Sequence, residues 1–256
     1  MTPDPSTTEP GSAPAFVRGV VLAGGDSSRF GAAGEDKALA RVGSGPDAER
    51  LLARTVRVLR EATGREPAVV VRDDDRRATY ARALGAEGDD GESVAFGFDA
   101  PGYEGPLGGL FGAVDAVDAP AVFCCGCDMP LLDPAAVAWL VDRFESLDTA
   151  GDRVDAVAVA YPDGALDPLH AVYRRERVAA LRDRLPPTAG PRAALAELDA
   201  VHTVPVDDAP AGVPLGRSTT NVNTVAELAA AADEAGGADR VDGSDDADSP
   251  PDGFDR

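Results

Sequence analysis

An α/β domain, a mostly parallel sheet with helices on both faces, is predicted by three observations. Short apolar runs rich in Val and Ala alternate with longer stretches of helical periodicity. Polar loops follow several of the runs, and three of these loops, 24–37, 126–130 and the one around 99–108, sit where ligands bind a parallel sheet. At 256 residues and 44% hydrophobic content, the chain is long enough to bury the core such a sheet needs.

The elements are read in order. Phe16 to Ala23 is a β-branched run ending in glycines, a buried first strand. Leu51 to Ala62 has the 3.6-residue spacing of an amphipathic helix. Ala68 to Val71 is a second buried strand, Arg76 to Leu84 a helix, and residues 92–99 a weaker third strand with Phe96 and Phe98 on one face. Leu107 to Val117 reads as helix and Ala121 to Cys125 as a short apolar strand. Pro134 to Glu145 is a helix with Asp133 as N-cap and proline at its first position. The turn Pro162, Asp163, Gly164 separates strands at Val154 to Ala160 and Leu169 to Arg174. Helical stretches at 175–185 and 191–199, a strand at His202 to Val206 and a helix from Val225 to Glu234 complete a domain of residues 15–235. Residues 1–14 and the Gly- and Asp-rich tail 236–256 are expected to be disordered extensions.

With 45 acidic against 24 basic residues, the formal net charge is -21, which disfavours nucleic acid and anionic membranes as partners. An acidic surface is kept soluble in concentrated salt, where screening weakens self-repulsion, so a halophilic cytoplasm is expected. No apolar run approaches the ~18 residues of a membrane span. The three cysteines, Cys124, Cys125 and Cys127, are too close together for ordinary disulfides and fit a reducing compartment, with packing their expected role.

The first loop carries the strongest chemical signal. It reads Leu22, Ala23, Gly24, Gly25, Asp26, Ser27, Ser28, Arg29, Phe30, Gly31, then Asp36, Lys37. Glycines let backbone N–H groups close on phosphate oxygens, and Arg29 and Lys37 add positive charge. A tight βα turn would use the same glycines. The spacing matches neither a Walker loop nor Gly-x-Gly-x-x-Gly. Lys37 is the only lysine, in a chain that otherwise uses arginine, which suits a compact ammonium set between phosphates.

Further motifs follow: Cys127, Asp128, Met129, Pro130; Gly105, Pro106, Leu107, Gly108, Gly109; Asp167, Pro168, Leu169, His170; and Asn221, Val222, Asn223, Thr224. Together with the first loop they resemble the molybdenum cofactor guanylyltransferase family over roughly residues 18–232. That resemblance implies a Rossmann-like fold of nucleotidyltransferase type. It also implies transfer of GMP from GTP to molybdopterin with release of pyrophosphate, and Mg²⁺ as the metal. Leu22, Ala23, Gly24, Gly25, Lys37, Asp99 and Asp128 are then expected to bind nucleotide, with Asp128 on the metal. Lys37, Arg29 and Asp128 would be catalytic, and Asn221, Asn223 and Arg192 would meet the acceptor.

The Leu-Ala-Gly-Gly wording, where cytidylyl relatives tend to Ala-Ala-Gly, points to guanine. Where the family often has an asparagine, this loop reads Arg72, Asp73, Asp74, Asp75. His170 is expected to be a packed strand residue, His202 structural and Thr224 a helix cap. The expected partners are GTP and molybdopterin, with transient contact to cofactor-handling proteins or molybdoenzymes. A related nucleotidyltransferase on a sugar phosphate or another cofactor precursor, and an inert nucleotide-binding regulator of cofactor delivery, are the alternatives.

Overall fold

The structure, a computed structural model, describes residues 16–25, 30, 36–43, 48–85 and 94–238. The strands are β1 (Val17–Leu22), β2 (Arg41–Val42), β3 (Glu49–Arg50), β4 (Ala68–Val71), β5 (Ala95–Phe98), β6 (Ala121–Gly126), β7 (Ala156–Ala160), β8 (Leu166–Arg174) and β9 (Val201–Pro205). The helices are α1 (Leu51–Thr63), α2 (Asp74–Ala83), α3 (Gly105–Ala116), α4 (Pro134–Thr149), α5 (Arg175–Ala179), α6 (Pro191–Glu197), α7 (Leu215–Ser218) and α8 (Val225–Ala238).

Seven strands form one sheet in the order β5-β4-β1-β6-β8-β7-β9, while β2 and β3 make a separate two-stranded ribbon. Every pairing in the main sheet is parallel except those of β8, which runs antiparallel to both β6 and β7. The mostly parallel expectation therefore holds. One reversed strand has a consequence for function. The carboxyl ends of β1, β4, β5 and β6 lie along one edge, and β8 begins at that edge, with His170 opposite Cys125.

Two apolar layers cover the sheet. On one face Val21, Val69, Phe123, Val157 and Val172 pack against α1 and α4 through Leu52, Val56, Leu59, Leu140 and Phe144. On the other, Val20, Val70, Val122, Ala158 and Ala171 meet Leu110, Phe111 and Val114 of α3 and Val178 and Leu195 of α5 and α6. The alternation of side chains along each strand assigns neighbours to opposite layers. Cys124 and Cys125 follow it and are both fully buried, one in each layer.

Local chemistry fixes the boundaries. The Asp133 carboxylate accepts the backbone N–H of Ala135 at 2.9 Å and so caps α4, as expected, while Asp73 accepts from Arg76 N–H and caps α2. Helix α3 lies close to β5 because Gly112 carries no side chain: a Cβ there would collide with the Phe98 carbonyl oxygen.

Helix α8 runs to Ala238, past the expected end at Glu234 and into the segment expected to begin the tail. Alanines and the absence of a breaker before Gly236 let the pattern continue. The remaining extension expectations, residues 1–14 and 239–256, lie outside the described residues. Among the described residues no helix is long and apolar enough to cross a membrane.

Candidate active site

A cleft of about 330 Å³ opens at the carboxyl edge of the sheet. The strand ends supply its floor: Leu22 to Gly25 after β1, Arg72 after β4, Asp99 after β5, and Gly126 to Asp128 after β6. Its far wall is the start of α3 at Gly105, Pro106 and Gly109, so the helix N-terminus borders the space. All the sequence-predicted nucleotide residues, Leu22, Ala23, Gly24, Gly25, Lys37, Asp99 and Asp128, come together here. Arg29 lies outside the described residues.

Lys37 stands on a short 3-10 turn, Lys37–Leu39. Its ammonium donates to Asp128 Oδ2 at 3.0 Å and to the Val222 carbonyl at 2.9 Å. Val222 N–H in turn donates to the Asp128 carbonyl at 2.9 Å. The strand-end carboxylate, the lysine and the Asn221 to Thr224 segment are thus tied into one unit.

The turn bearing Lys37 is itself held. Asp36 Oδ1 accepts the Ala38 N–H at 3.0 Å, capping the turn. The Tyr80 hydroxyl on α2 donates toward the same carboxylate, at 2.9 Å from Oδ2 and 3.1 Å from Oδ1. Arg76, one helical turn earlier, donates to the Tyr80 oxygen at 2.7 Å and lies 3.5 Å from Asp36 Oδ2. Burial, reinforced by the Asp36 charge, pushes the Tyr80 hydroxyl well up, so it stays a donor. Asp36, Tyr80 and Arg72 all line the cleft and were not among the expected site residues. A signal existed: Tyr80 is the one buried residue of an otherwise polar α2.

Asp99 is drawn in against Gly24, where a Cβ would lie 2.5 Å from Asp99 Oδ2. Gly24 is therefore required by close approach rather than by backbone angle. Burial raises the Asp99 carboxyl, while Arg72 and Arg76 pull it down. Cys127 also lines the cleft, its thiol pushed up to about 12 by burial and then by the Asp128 charge, which leaves it inert.

A second cleft, of about 520 Å³, adjoins the first. Its walls come from Tyr161 and the Asp167 to Leu169 start of β8, from Gly190 to Arg192 at the start of α6, and from Asn221. Asp128 and Leu169 line both clefts, so the two spaces meet there. Arg192 and Asn221 both line this second space. Asn223 does not line either cleft. Alternation turns Val222 into the core and both asparagines outward, and Asn223 N–H is bound at 2.6 Å by Glu227. Glu227 also accepts the Thr224 N–H at 3.2 Å while its own N–H reaches the Thr224 hydroxyl at 3.2 Å, a capping box on α8 that gives Thr224 its expected role.

His170 is fully buried and packs edge-on against Phe123, the packed strand residue expected. Arg143 Nε donates to His202 Nε2 at 3.3 Å on the surface. Among the described residues no three His, Cys, Asp or Glu side chains group as a metal site.

A family model described as the MobA-like NTP transferase domain matches residues 19–204. The chain belongs to the MobA-like NTP transferase family. The match runs from β1 into β9 and takes in the walls of both clefts except Asn221.

Two relatives with the printed name "Probable molybdenum cofactor guanylyltransferase" are similar to this MobA-like chain. That of Pyrococcus furiosus is 38% identical over 160 residues, 62% of this chain and 69% of its own length. That of Natronomonas pharaonis is 32% identical, covering 63% and 69%. Among solved structures, molybdopterin-guanine dinucleotide biosynthesis protein A from Archaeoglobus fulgidus superposes with a TM-score of 0.64 at 19% identity, covering 86% of this chain and 99% of that one. At that identity the likeness speaks for the fold, which is that of the MobA-like transferases.

Proposed function

We propose that the protein transfers GMP from GTP to the phosphate of molybdopterin, releasing pyrophosphate. The observation that carries this reading is the meeting of two clefts at Asp128 and Leu169. One has the glycine loop, helix N-terminus and cations that a triphosphate needs, and the other has room for a second substrate. The names of the relatives at 38% and 32% identity support the choice of acceptor and base.

In the transfer, an oxygen of the acceptor phosphate attacks the α-phosphorus of GTP as the bond to the pyrophosphate oxygen breaks. Such reactions depend on alignment and on charge neutralisation more than on a general base. The backbone of Leu22 to Gly25 and the start of α3 hold the phosphates, Asp99 lies along the nucleotide, and Lys37 offsets negative charge beside Asp128. Arg29 belongs to this group by sequence. Arg192 and Asn221 hold the acceptor.

The residues present fit a bound Mg²⁺. This cation takes one or two protein carboxylates and completes its shell with substrate phosphates and water, and Asp128 at the meeting point of the clefts is such a carboxylate. When bound, Mg²⁺ neutralises charge on the phosphates. The acidic composition and the absence, among the described residues, of a membrane-crossing helix support a cytoplasmic enzyme of a salt-rich cell.

The test is pyrophosphate release from GTP, Mg²⁺ and molybdopterin by purified protein in concentrated KCl, beside ATP and CTP. Release with GTP alone is expected. Release that follows CTP overturns the base assignment, and no release with any nucleotide overturns the enzyme reading.

A further inference from the structure

The second cleft contains a buried carboxylate that the transfer chemistry leaves unused. Asp167, near the start of β8, is 8% exposed and lines this cleft. Its Oδ1 accepts the Leu169 N–H at 2.9 Å, and its Oδ2 accepts the Tyr161 hydroxyl at 2.8 Å. Both donors are neutral. Tyr161, which follows β7, lines the same cleft. Burial, with Asp167 adding to it, pushes the Tyr161 hydroxyl up to about 12, so the phenol remains a donor.

A carboxylate has roughly four acceptor positions, and these two bonds fill two of them. Burying its charge costs free energy that further donors would recover. The cleft also fixes which end of an acceptor meets it. A phosphate is repelled by Asp167 and belongs beside Lys37, in the first cleft. The Asp167 carboxylate, held 2.9 Å from the Leu169 N–H, lines the second cleft, so the part of the acceptor that reaches it carries hydrogen-bond donors. A ring N–H next to an exocyclic amine presents two parallel donors, the fork that a fixed carboxylate pairs with best.

We propose that Asp167, oriented by Tyr161, recognises the 2-amino-4-oxopyrimidine edge of a pterin acceptor through its ring N–H and exocyclic amine. The inference rests on the reading that this cleft takes a pterin phosphate, and it adds a residue that selects the heterocycle.

The experiment compares 6-hydroxymethylpterin with 6-hydroxymethyllumazine, in which a carbonyl replaces the exocyclic amine, as competitors against the acceptor. The wild type should bind the pterin at least about tenfold more tightly, because the lumazine sets an acceptor against the carboxylate. Asp167→Asn should weaken pterin binding about tenfold or more and abolish the preference, while the KM for GTP stays within about twofold. Tyr161→Phe, which leaves the carboxylate in place, should reduce the preference by a smaller factor. A wild type without preference, or an Asp167→Asn protein that keeps it, overturns the inference. Turnover of molybdopterin by the wild type tests the proposed function separately. Should it fail, calorimetric titration of the same two heterocycles still decides whether Asp167 discriminates between them.

Discussion

The Lys37 ammonium stands 3.0 Å from Asp128 Oδ2 and 2.9 Å from the Val222 carbonyl, joining residues 91 and 185 positions away in sequence. The pair is only partly exposed, 14% for Lys37 and 26% for Asp128, so its charges are poorly screened.

Replacing either member should cost far more activity than stability. Asp128→Asn and Lys37→Met are expected to lower kcat by about 10²–10³, the usual loss when one preorganised charge is removed. Stability should fall by only about 1 kcal/mol. Lys37→Arg should also lose at least about tenfold, since a planar fork does not fit where one ammonium bridges a carboxylate and a carbonyl. Steady-state kinetics beside thermal melts check all three; near-normal turnover by Asp128→Asn removes its assignment.

Tyr80 acts through Asp36. Tyr80→Phe removes a hydroxyl bonded within 3.1 Å to both carboxylate oxygens and leaves Asp36 to cap the lysine turn with less support. A loss of about 1–2 kcal/mol in urea unfolding is expected. The accompanying fall in kcat, several-fold, should exceed any change in the KM for GTP. Equal kinetics with lowered stability would make Tyr80 purely structural.

Gly24 and Gly25 should respond differently to alanine. At Gly24 the added methyl meets Asp99 Oδ2 at 2.5 Å, whereas at Gly25 it meets no atom of the described residues within 4 Å. Gly24→Ala should therefore lower stability by about 1–3 kcal/mol and displace Asp99, weakening GTP binding. Gly25→Ala should leave the melting temperature unchanged, so any loss of GTP affinity in it, by calorimetry, reports contact with the ligand alone.

His170 sets an acid limit on stability. Burial holds its imidazole down at about 3 against an ordinary value of 6.5, and its ring nitrogens meet no hydrogen-bond partner among the described residues. The folded state keeps the ring neutral while the unfolded chain protonates it below about 6.5. Stability is therefore complete above that pH and declines as pH falls toward 3. His170→Phe should flatten the change in urea midpoint between pH 7 and 5.5; an unchanged slope would assign that change to other groups.

Much of this was legible in the sequence because it depends on local signals. Glycines and a carboxylate directly after apolar runs place Gly24 and Asp128 at strand ends, and Asp133 before Pro134 marks a helix start. What escaped depends on distance along the chain. Asp36 and Tyr80 meet across 44 residues, and the ribbon strands β2 and β3 are two residues each, too short for a period to show. The reversal of β8 has no local signature, since Leu169 to Arg174 looks the same in either direction. Asn221 and Asn223 do point the same way, but backbone ties to Glu227 place the second in a helix cap.

The contact of the two clefts at Asp128 and Leu169 separates what the protein holds constant from what it can vary. The first cleft is built largely on parallel strand ends that also carry the core, so its walls resist change. The second is built on the reversed strand, the turn before it and the segments entering α6 and α8, where insertions disturb no parallel register. On the proposed function, new acceptors would be accommodated by exchanging that one wall, and diversification of this chain's relatives is expected to concentrate between residues 161 and 192.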